Sequence, residues 1–252
     1  MSALEARYLR DLTFQEVARA LRALSSCYVE RRGRLASGRA LEGSGKRAAF
    51  AAFYAPLHFL ITAHIASAVR AELSPGTTLV DLGCGTGAAG AAWALVAGAG
   101  VDILGVDRSA WAAHEAEWTW RTMGIRGRAV RTDAARLRWP RARHAALAAF
   151  AINELTPSAR DGLRQRLVQA AAEGHDVLVI EPLAGAAAPW WEEWVQAFAA
   201  VGGEHRTWRA GARLPELVAR LDRASGLNHR ELTARSLHAG ARGPSIIAGA
   251  PS

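Results

Sequence analysis

The chain has 252 residues, is half hydrophobic, carries a formal net charge of +8 and contains only two cysteines, Cys27 and Cys84. This length and apolar content suffice for one large domain, or for a domain with an extension. Two cysteines exclude a disulfide framework and a four-cysteine metal site. The basic balance favours polyanionic partners such as RNA.

We expect the chain to stay in the cytoplasm. Its first thirty residues lack a continuous apolar core, and Glu5, Asp11 and Glu16 are acids of the kind that organelle presequences avoid. The most apolar long segment, residues 48–69, contains Pro56 and two histidines and is amphipathic. We therefore expect no membrane span there.

Residues 1–74 are expected to form a helical extension. Thr13 and Glu16 have the spacing of a capping box, and apolar side chains recur on one helical face after them. Residues 28–47 are predicted to form an exposed basic loop, which is either a solvated connector or a phosphate-binding arm. Its basic side chains are Arg31, Arg32, Arg34, Arg39, Lys46 and Arg47.

A second helix is predicted over residues 50–69, where apolar residues recur at three- and four-residue steps, with a break or restart near Pro56. Only residues 74–76 separate this helix from the pattern that follows, so we expect its apolar stripe to pack against the next domain. The polar groups that would then border a ligand site are Tyr54, His58 and Arg47. A helix that only packs is the alternative.

The stretch 78–96 is predicted to form a buried strand, a glycine turn and the start of an alanine-rich helix. Gly83, Gly85 and Gly87 allow backbone angles closed to other residues and leave room for a ligand to touch the main chain. A helix that begins there points N–H groups at the ligand, as in a nucleotide site. Residues 85–90 also match the dinucleotide fingerprint, so a nicotinamide cofactor is one alternative and a turn without ligand is another.

From Thr77 onward, strands and helices alternate, which is typical of a mostly parallel sheet. Ligands of such sheets lie beyond the carboxyl ends of the strands. Five predicted strands end in polar residues, namely Asp81, Asp107, Asp133, Asn153 and Glu181. A tryptophan-rich helix around Trp194 is expected in the core, and two last strands, 229–236 and 245–248, are expected to form an antiparallel hairpin.

The sequence Asp81-Leu-Gly-Cys-Gly-Thr-Gly87 resembles the first motif of class I S-adenosylmethionine-dependent methyltransferases. The resemblance implies an α/β, Rossmann-like sheet with helices on both faces, and S-adenosylmethionine as cofactor. An oxidoreductase would need a second mononucleotide half, which the sequence does not show. The candidate cofactor-binding residues are Asp81, Gly83, Cys84, Gly85, Gly87, Asp107, Arg108, Asp133, Ala134 and Asn153.

With that cofactor, the strand-end acids have distinct expected roles. Asp81 would meet the positively charged amino-acid moiety. Asp107, about twenty residues after Gly87, has the spacing of a carboxylate that accepts from ribose hydroxyls, with a helix N-cap as the alternative. Asp133 would accept from the adenine amine beside the Ala134 amide, or would only form a turn.

Asn153 and Glu154 close the fourth predicted strand and are the candidate catalytic residues. An amide or carbonyl group of Asn153 could orient the incoming nucleophile, and Glu154 could accept its proton. Methyl transfer is an in-line displacement on an already activated carbon. Positioning and shielding from water are therefore the main tasks, and a strong base is not required.

Roughly residues 25–185 also resemble the small-ribosomal-subunit methyltransferase-like family. The segments that carry this resemblance are 28–32, 53–57, 153–155 and 178–182. It implies a ribosomal or RNA context. Members of that family carry a C-terminal cysteine cluster, whereas this chain has no cysteine after Cys84, so an iron–sulfur cluster of that kind is excluded.

These features predict a helical extension over residues 1–74 and an S-adenosylmethionine-binding methyltransferase domain over residues 75–252. The predicted function is methylation of RNA, with ribosomal RNA favoured. A small-molecule methyltransferase and a non-catalytic ribosome-assembly factor that binds the cofactor are the alternatives. We expect no metal, and the sequence does not indicate an oligomeric state.

Overall fold

The computed structural model describes residues 1–30, 41–98, 100–183 and 188–240, which are built around one seven-stranded sheet. The strands are β1 (Thr78–Leu82), β2 (Asp102–Asp107), β3 (Gly127–Arg131), β4 (His144–Ala149), β5 (Asp176–Glu181), β6 (Glu204–Gly211) and β7 (Glu231–Ala239). Their order in the sheet is β3-β2-β1-β4-β5-β7-β6. The strands β1 to β5 are parallel, and β7 is antiparallel to both of its neighbours. The predicted Rossmann-like α/β class is confirmed.

Helices cover both faces of this sheet. They are α1 (Ser2–Tyr8), α2 (Phe14–Glu30), α3 (Ser44–Ala49), α4 (Ala55–Ala68), α5 (Ala88–Ala97), α6 (Ala110–Thr122), α7 (Pro157–Ala172), α8 (Trp191–Ala199) and α9 (Glu216–Ala224). Helices α2, α4, α5, α6 and α9 share a core with Leu79 and Leu147. Helices α7 and α8 pack on the opposite face, with Val80 and Ala146.

Strand β1 lies between β2 and β4 and is buried on both faces, which explains its apolar sequence. The turn after it is fixed by the neighbouring strand. The N–H groups of Gly83 and Cys84 both donate to the carbonyl of Val106 in β2, at 2.8 and 3.0 Å. The glycine loop is therefore held at the carboxyl edge of the sheet.

The N-terminal extension shares the core of the sheet. Thr13 and Glu16 form the predicted capping box, since the Thr13 N–H donates to Glu16 Oε2 (2.7 Å) and the Glu16 N–H donates to Thr13 Oγ1 (3.3 Å). Below this cap, the fully buried Leu21 of α2 joins the cluster that contains Leu79 of β1. One hydrophobic cluster extends across the predicted domain boundary between residues 74 and 75. The division of the chain into two domains at this boundary stays a prediction.

The predicted basic loop is corrected in its described part. Lys46 and Arg47 lie in α3, which continues through a π-helical turn (Phe50–Tyr54) into α4. Pro56 does not break this helix. A proline has no N–H to donate to the preceding turn, but here the π-turn has already interrupted the regular hydrogen bonds of that turn, so none is lost. Residues 31–40 of the predicted loop lie outside the described residues.

The described helix Ser44–Ala68 is long and apolar enough to cross a membrane by length and composition alone. A core helix passes the same test, and 61% of the most apolar window of this helix is buried inside the protein. Its buried residues Ile61 and Ile65 belong to the same cluster as Trp93 of α5. The Trp93 Nε1–H also donates to the Ala71 carbonyl just after the helix, at 2.7 Å.

Strand β7 has a different partner from the predicted one. It pairs with β5 on one side and with β6 on the other, so its two edges are occupied. The predicted hairpin pairing of the strand at 229–236 with one at 245–248 is therefore wrong, and residues 245–248 themselves lie outside the described residues. Strand β6 was not predicted because it is an edge strand with polar residues on its exposed face.

Side chains cap two helices, and the tryptophan-rich helix lies in the core as predicted. The Ser109 hydroxyl caps α6 by accepting from the Ala112 N–H (3.3 Å), and Thr156 caps α7. Trp194 and Phe198 of α8 are fully buried, so this helix serves the core, as expected.

Candidate functional site

The glycine loop after β1 has the conformation that its sequence predicts. Gly83, Gly85 and Gly87 have φ values of +73°, +53° and +78°. A Cβ at Gly83 would lie 2.6 Å from Ala151 Cβ, and one at Gly87 would lie 2.6 Å from Trp120 Nε1. These two glycines are thus required by packing as well as by backbone angle.

Gly85 is the open member of the loop. A Cβ built there would meet only the ring of Phe50, at 3.8 Å, which is ordinary contact. Phe50 belongs to the π-turn of the extension, so the extension borders the loop at the point where a ligand can approach the main chain. The sequence predicted Phe50 only as part of the apolar helix over residues 50–69, not as a residue of the site.

Asp81 lies behind the loop and is 1% exposed. Its Oδ2 accepts from the Gly90 N–H of α5 at 3.1 Å, and a Cβ at Gly90 would lie 2.5 Å from that oxygen. Burial first, and then the charge of Asp107, raise the pKa of Asp81 to about 7. The expected contact of Asp81 with a cofactor's amino-acid moiety stays a prediction.

Asp107, at the end of β2, connects the loop to the next helix. Its Oδ2 accepts from the Gly85 N–H (3.0 Å) and its Oδ1 accepts from the Ser109 N–H (2.8 Å). Burial raises the pKa of this carboxyl above its usual value. Asp107 therefore holds the open glycine in place, a role the sequence spacing alone did not reveal.

Cys84 lies on the inner side of the loop. Burial raises the pKa of its thiol well above the usual value, and the charges of Asp81 and Asp107 act in the same direction. The thiol therefore stays protonated, and Cys84 contributes packing and main-chain geometry, not a nucleophile.

Asp133 and Ala134 follow β3, one strand further from the centre. The Asp133 Oδ1 accepts from the Ala135 N–H at 2.9 Å, so this aspartate caps a short 3₁₀ turn. That is the turn-forming role considered as the alternative to adenine binding. Contact of Asp133 or the Ala134 amide with adenine stays a prediction.

Asn153 is held on both sides. Its Nδ2 donates to Glu181 Oε2 at 2.6 Å, and its Oδ1 accepts from Trp190 Nε1 at 3.1 Å. Glu181 is fully buried, also accepts from the Ile152 N–H (2.9 Å), and has its pKa raised to about 8 by burial. The strand-end acid of β5 thus positions the predicted catalytic amide.

Glu154 lies on the side of Asp107. Burial first, and then the charge of Asp107, raise its pKa to about 7, whereas the charge of Arg108 acts in the opposite direction. A carboxyl with a pKa near neutrality can accept or release a proton under ordinary conditions. Among the described residues, no group of three His, Cys, Asp or Glu side chains could hold a metal ion.

Phe150 is a site residue that the sequence did not indicate. It has φ of +58°, an unfavourable backbone angle for a bulky residue, and its N–H donates to the Ile180 carbonyl at 2.8 Å. Its ring stacks on His58 of α4, with 4.0 Å between the centroids and 12° between the planes. The residue that follows strand β4 therefore contacts the extension, three positions before Asn153 in the chain.

The structure groups two of the three candidate substrate residues. His58 lies 6.4 Å from Tyr54 and 6.1 Å from Phe50 between ring centroids, and burial lowers the pKa of His58 to about 4, so it is neutral. Arg47 lies apart from them. Its Nε donates to the Leu41 carbonyl (3.1 Å), and its guanidinium lies over the ring of Trp111 at 5.4 Å.

Comparison with solved structures supports the fold. Magnesium protoporphyrin IX methyltransferase from Synechocystis, solved with S-adenosylmethionine bound, matches with a TM-score of 0.50 and 15% identity over 73% of this chain and 79% of that chain. An S-adenosylmethionine-dependent methyltransferase from Aquifex aeolicus has a TM-score of 0.49 and 12% identity, over 73% and 90% of the two chains. No protein-family model and no curated protein matches. The match to the Synechocystis enzyme shows that this chain shares the Rossmann-like fold of that methyltransferase, and the narrower family resemblance stays a prediction.

Proposed function

We propose that this chain is an S-adenosylmethionine-dependent methyltransferase whose cofactor binds against the glycine loop. The observation that carries the proposal is the cluster of carboxyls around this loop, formed by Asp81, Asp107 and Glu154. The pKa of each is raised, first by burial. A sulfonium and an ammonium group would compensate this negative charge, whereas the two phosphates of a nicotinamide dinucleotide would add to it.

Three residues fit the expected contacts of the cofactor. Gly85 leaves its main chain open to close approach. Asp107 accepts one backbone N–H on each oxygen, and a carboxylate has about four lone-pair sites, so it can accept ribose hydroxyls as well. Asp81 would complement the amino-acid moiety from behind the loop.

When bound, the cofactor supplies a methyl group on a positively charged sulfur. The chain itself must orient the nucleophile and exclude water. Asn153 is fixed by Glu181 and Trp190, so its remaining N–H and lone pair keep one direction. Glu154, with its pKa near 7, is suited to accept the proton that the nucleophile loses.

We infer that the substrate is RNA. The net charge of +8 supports a polyanion, and the aromatic group of Phe50, Tyr54, His58 and Phe150 offers stacking surfaces for a base. The same aromatic group favours a small planar metabolite as the second candidate. Ribosomal RNA and a cytoplasmic location are part of this proposal.

Transfer of label from S-adenosylmethionine tritiated on its methyl group tests the proposal. Total RNA, protein and small metabolites would be offered separately to the full chain and to the Glu154→Gln variant. We expect label in RNA with the wild type and a reduced rate with the variant. Label only in the metabolite fraction would support the second candidate, and no transfer to any fraction would contradict catalysis.

A further inference from the structure

The positive charge of this protein is concentrated in one short segment. Residues 121–143 contain eight arginines and a single acid, Asp133, which gives a net charge of +7. The remaining 229 residues carry 23 of the 31 basic side chains and 22 of the 23 acidic ones, a net charge of +1. A general compositional excess of arginine would be spread along the chain, so this distribution calls for a local explanation.

These arginines follow one another on consecutive elements of the chain, which we together call the arginine strip. It runs from the end of α6 through the edge strand β3 and the 3₁₀ turn Ala134–Arg136 to the start of β4. All eight side chains are exposed. They are Arg121, Arg126, Arg128, Arg131, Arg136, Arg138, Arg141 and Arg143.

The segment after β3 is anchored so that its arginines point outward. Leu137 and Trp139 pack against the core cluster on the α7 face of the sheet, whereas the alternating Arg136 and Arg138 are exposed. Arg166 of α7 fixes the backbone from below by donating to the carbonyls of Ala134, Ala135 and Leu137. The exposed guanidinium groups are thus carried on a fixed main chain.

Most of this charge has no acidic partner. Arg126 pairs with Asp102 at 2.9 Å, and Arg143 approaches Asp176 at 3.8 Å. The other six arginines of the strip form no ion pair with any residue in the described ranges. Met123, near the start of the strip, is an exposed large hydrophobic residue, but between Arg126 and Arg143 the described residues include no other, so this part of the strip lacks the apolar anchors on which protein partners usually depend.

The strip reaches the proposed cofactor site. Arg131, at the end of β3, is the register partner of Asp107 at the end of β2. Its Nε also donates to the Arg108 carbonyl at 3.3 Å. A chain of phosphates bound along the strip would therefore arrive within one strand of the carboxylate that is expected to hold the ribose.

We propose that the arginine strip is the surface that binds the phosphate backbone of the RNA substrate and directs it to the carboxyl edge of the sheet. This inference rests on the proposed RNA specificity and names the surface responsible for it. Affinity from such contacts is electrostatic, so it must fall with salt, and each lost phosphate contact must make that fall shallower.

The test compares two triple variants with the same change of charge. Arg128→Gln/Arg136→Gln/Arg138→Gln removes three exposed arginines of the strip. The control Arg213→Gln/Arg223→Gln/Arg230→Gln removes three exposed arginines near β6 and α9, on the far side of the sheet order. Binding of a fluorescent single-stranded RNA of mixed sequence is measured over a series of salt concentrations, with polyglutamate as a second probe.

We expect the slope of log affinity against log salt to become shallower by about 2 for the strip variant, at about 0.7 for each phosphate contact, and to stay unchanged for the control. Binding of S-adenosylhomocysteine should be the same in all three proteins, which also reports correct folding. The inference would be overturned, with RNA specificity still standing, if both triple variants changed the salt slope equally. It would also be overturned if the strip variant weakened polyglutamate binding more than RNA binding. A wild type that binds S-adenosylhomocysteine but no RNA would overturn both.

Discussion

Asp107 is the residue on which the geometry of the glycine loop depends most directly, because its two oxygens hold the N–H groups of Gly85 and Ser109. We expect Asp107→Ala to weaken binding of S-adenosylhomocysteine by about 1–3 kcal/mol, since the loop and the ribose lose an acceptor. Ser109→Ala is the matched control. It removes the cap of α6 and lowers stability by about 0.5–2 kcal/mol, but it keeps the carboxylate. Calorimetry separates the two effects, and unchanged affinity in Asp107→Ala would contradict its role.

Glu181 connects the stability of the fold to pH. Its pKa is raised from 4.5 to about 8, first by burial, so the folded state keeps a proton that the unfolded state loses. Its contribution to stability is therefore complete below pH 4.5 and is lost as pH rises to about 8. Asp81 and Glu154 act in the same direction.

We accordingly expect the free energy of unfolding to decrease over that interval, and Glu181→Gln to make the decrease smaller. Urea denaturation at a series of pH values measures both. A stability that rises with pH between these limits in the wild type would be inconsistent with the burial of these acids.

Cofactor affinity should respond to pH in the opposite sense. Asp81 and Glu154 ionise near pH 7 in the folded protein, and a cationic ligand binds their ionised forms better. From about pH 6 to about pH 7.5 we expect affinity for S-adenosylmethionine to rise more than affinity for S-adenosylhomocysteine, which lacks the sulfonium. Titrations of both ligands at each pH measure this difference. Equal pH dependence would show that the carboxyls do not sense the sulfonium.

The sequence predicted which residues lie at this edge of the sheet but not how they contact one another. Parallel strands end together, so Asp107 and Asn153 could be grouped from the pattern alone. The contacts of Asn153 with Glu181 and Trp190 join residues 28 and 37 positions apart, and no local pattern encodes them. The positive φ of Phe150 is likewise fixed by tertiary packing.

At the level of elements, the N-terminal extension behaves as part of the core. Leu21 of α2 is fully buried, whereas Arg19 two positions earlier is exposed. Leu21→Ala should therefore lower the free energy of unfolding by about 2–5 kcal/mol, and Arg19→Ala should change it by no more than about 0.5 kcal/mol. Denaturant unfolding followed by circular dichroism compares them. If Leu21→Ala left the free energy of unfolding unchanged, the extension would fold separately from the sheet.

The elements that the sequence predicted best are those with a strong period. Strands β1, β2 and β5 are apolar runs, and the polar residues predicted at their ends, Asp81, Asp107 and Glu181, lie within the last two residues of each strand. The π-turn Phe50–Tyr54 escaped prediction because its residues are as apolar as an ordinary helix. Strand β6 was not predicted because it is rich in charged residues, with Trp208 its one large apolar side chain. This composition suits an exposed edge strand but is also typical of a loop.

For the whole molecule, the sequence predicted the fold class and the positive sign of the net charge. It assigned the basic surface to residues 28–47, whereas most of the net charge lies in the arginine strip. The sequence favours the loop over residues 28–47 because its basic side chains are close together in the chain. The arginine strip is more strongly charged, but its members are spread over a helix end, a strand and a connection. The fold was needed to show that β3, which carries Arg128 and Arg131, lies at the edge of the sheet and exposes them.

The central claim is that the glycine loop binds S-adenosylmethionine, and a calorimetric titration tests it most directly. The full chain and Gly85→Val would each be titrated with S-adenosylhomocysteine and with reduced nicotinamide dinucleotide. Gly85 has φ of +53° and its Cβ position opens to the proposed ligand, so valine should both strain the loop and obstruct it. We predict binding of S-adenosylhomocysteine by the wild type alone and no binding of the nicotinamide cofactor. Binding of the nicotinamide cofactor in its place, or binding of S-adenosylhomocysteine that Gly85→Val leaves unchanged, would contradict the claim.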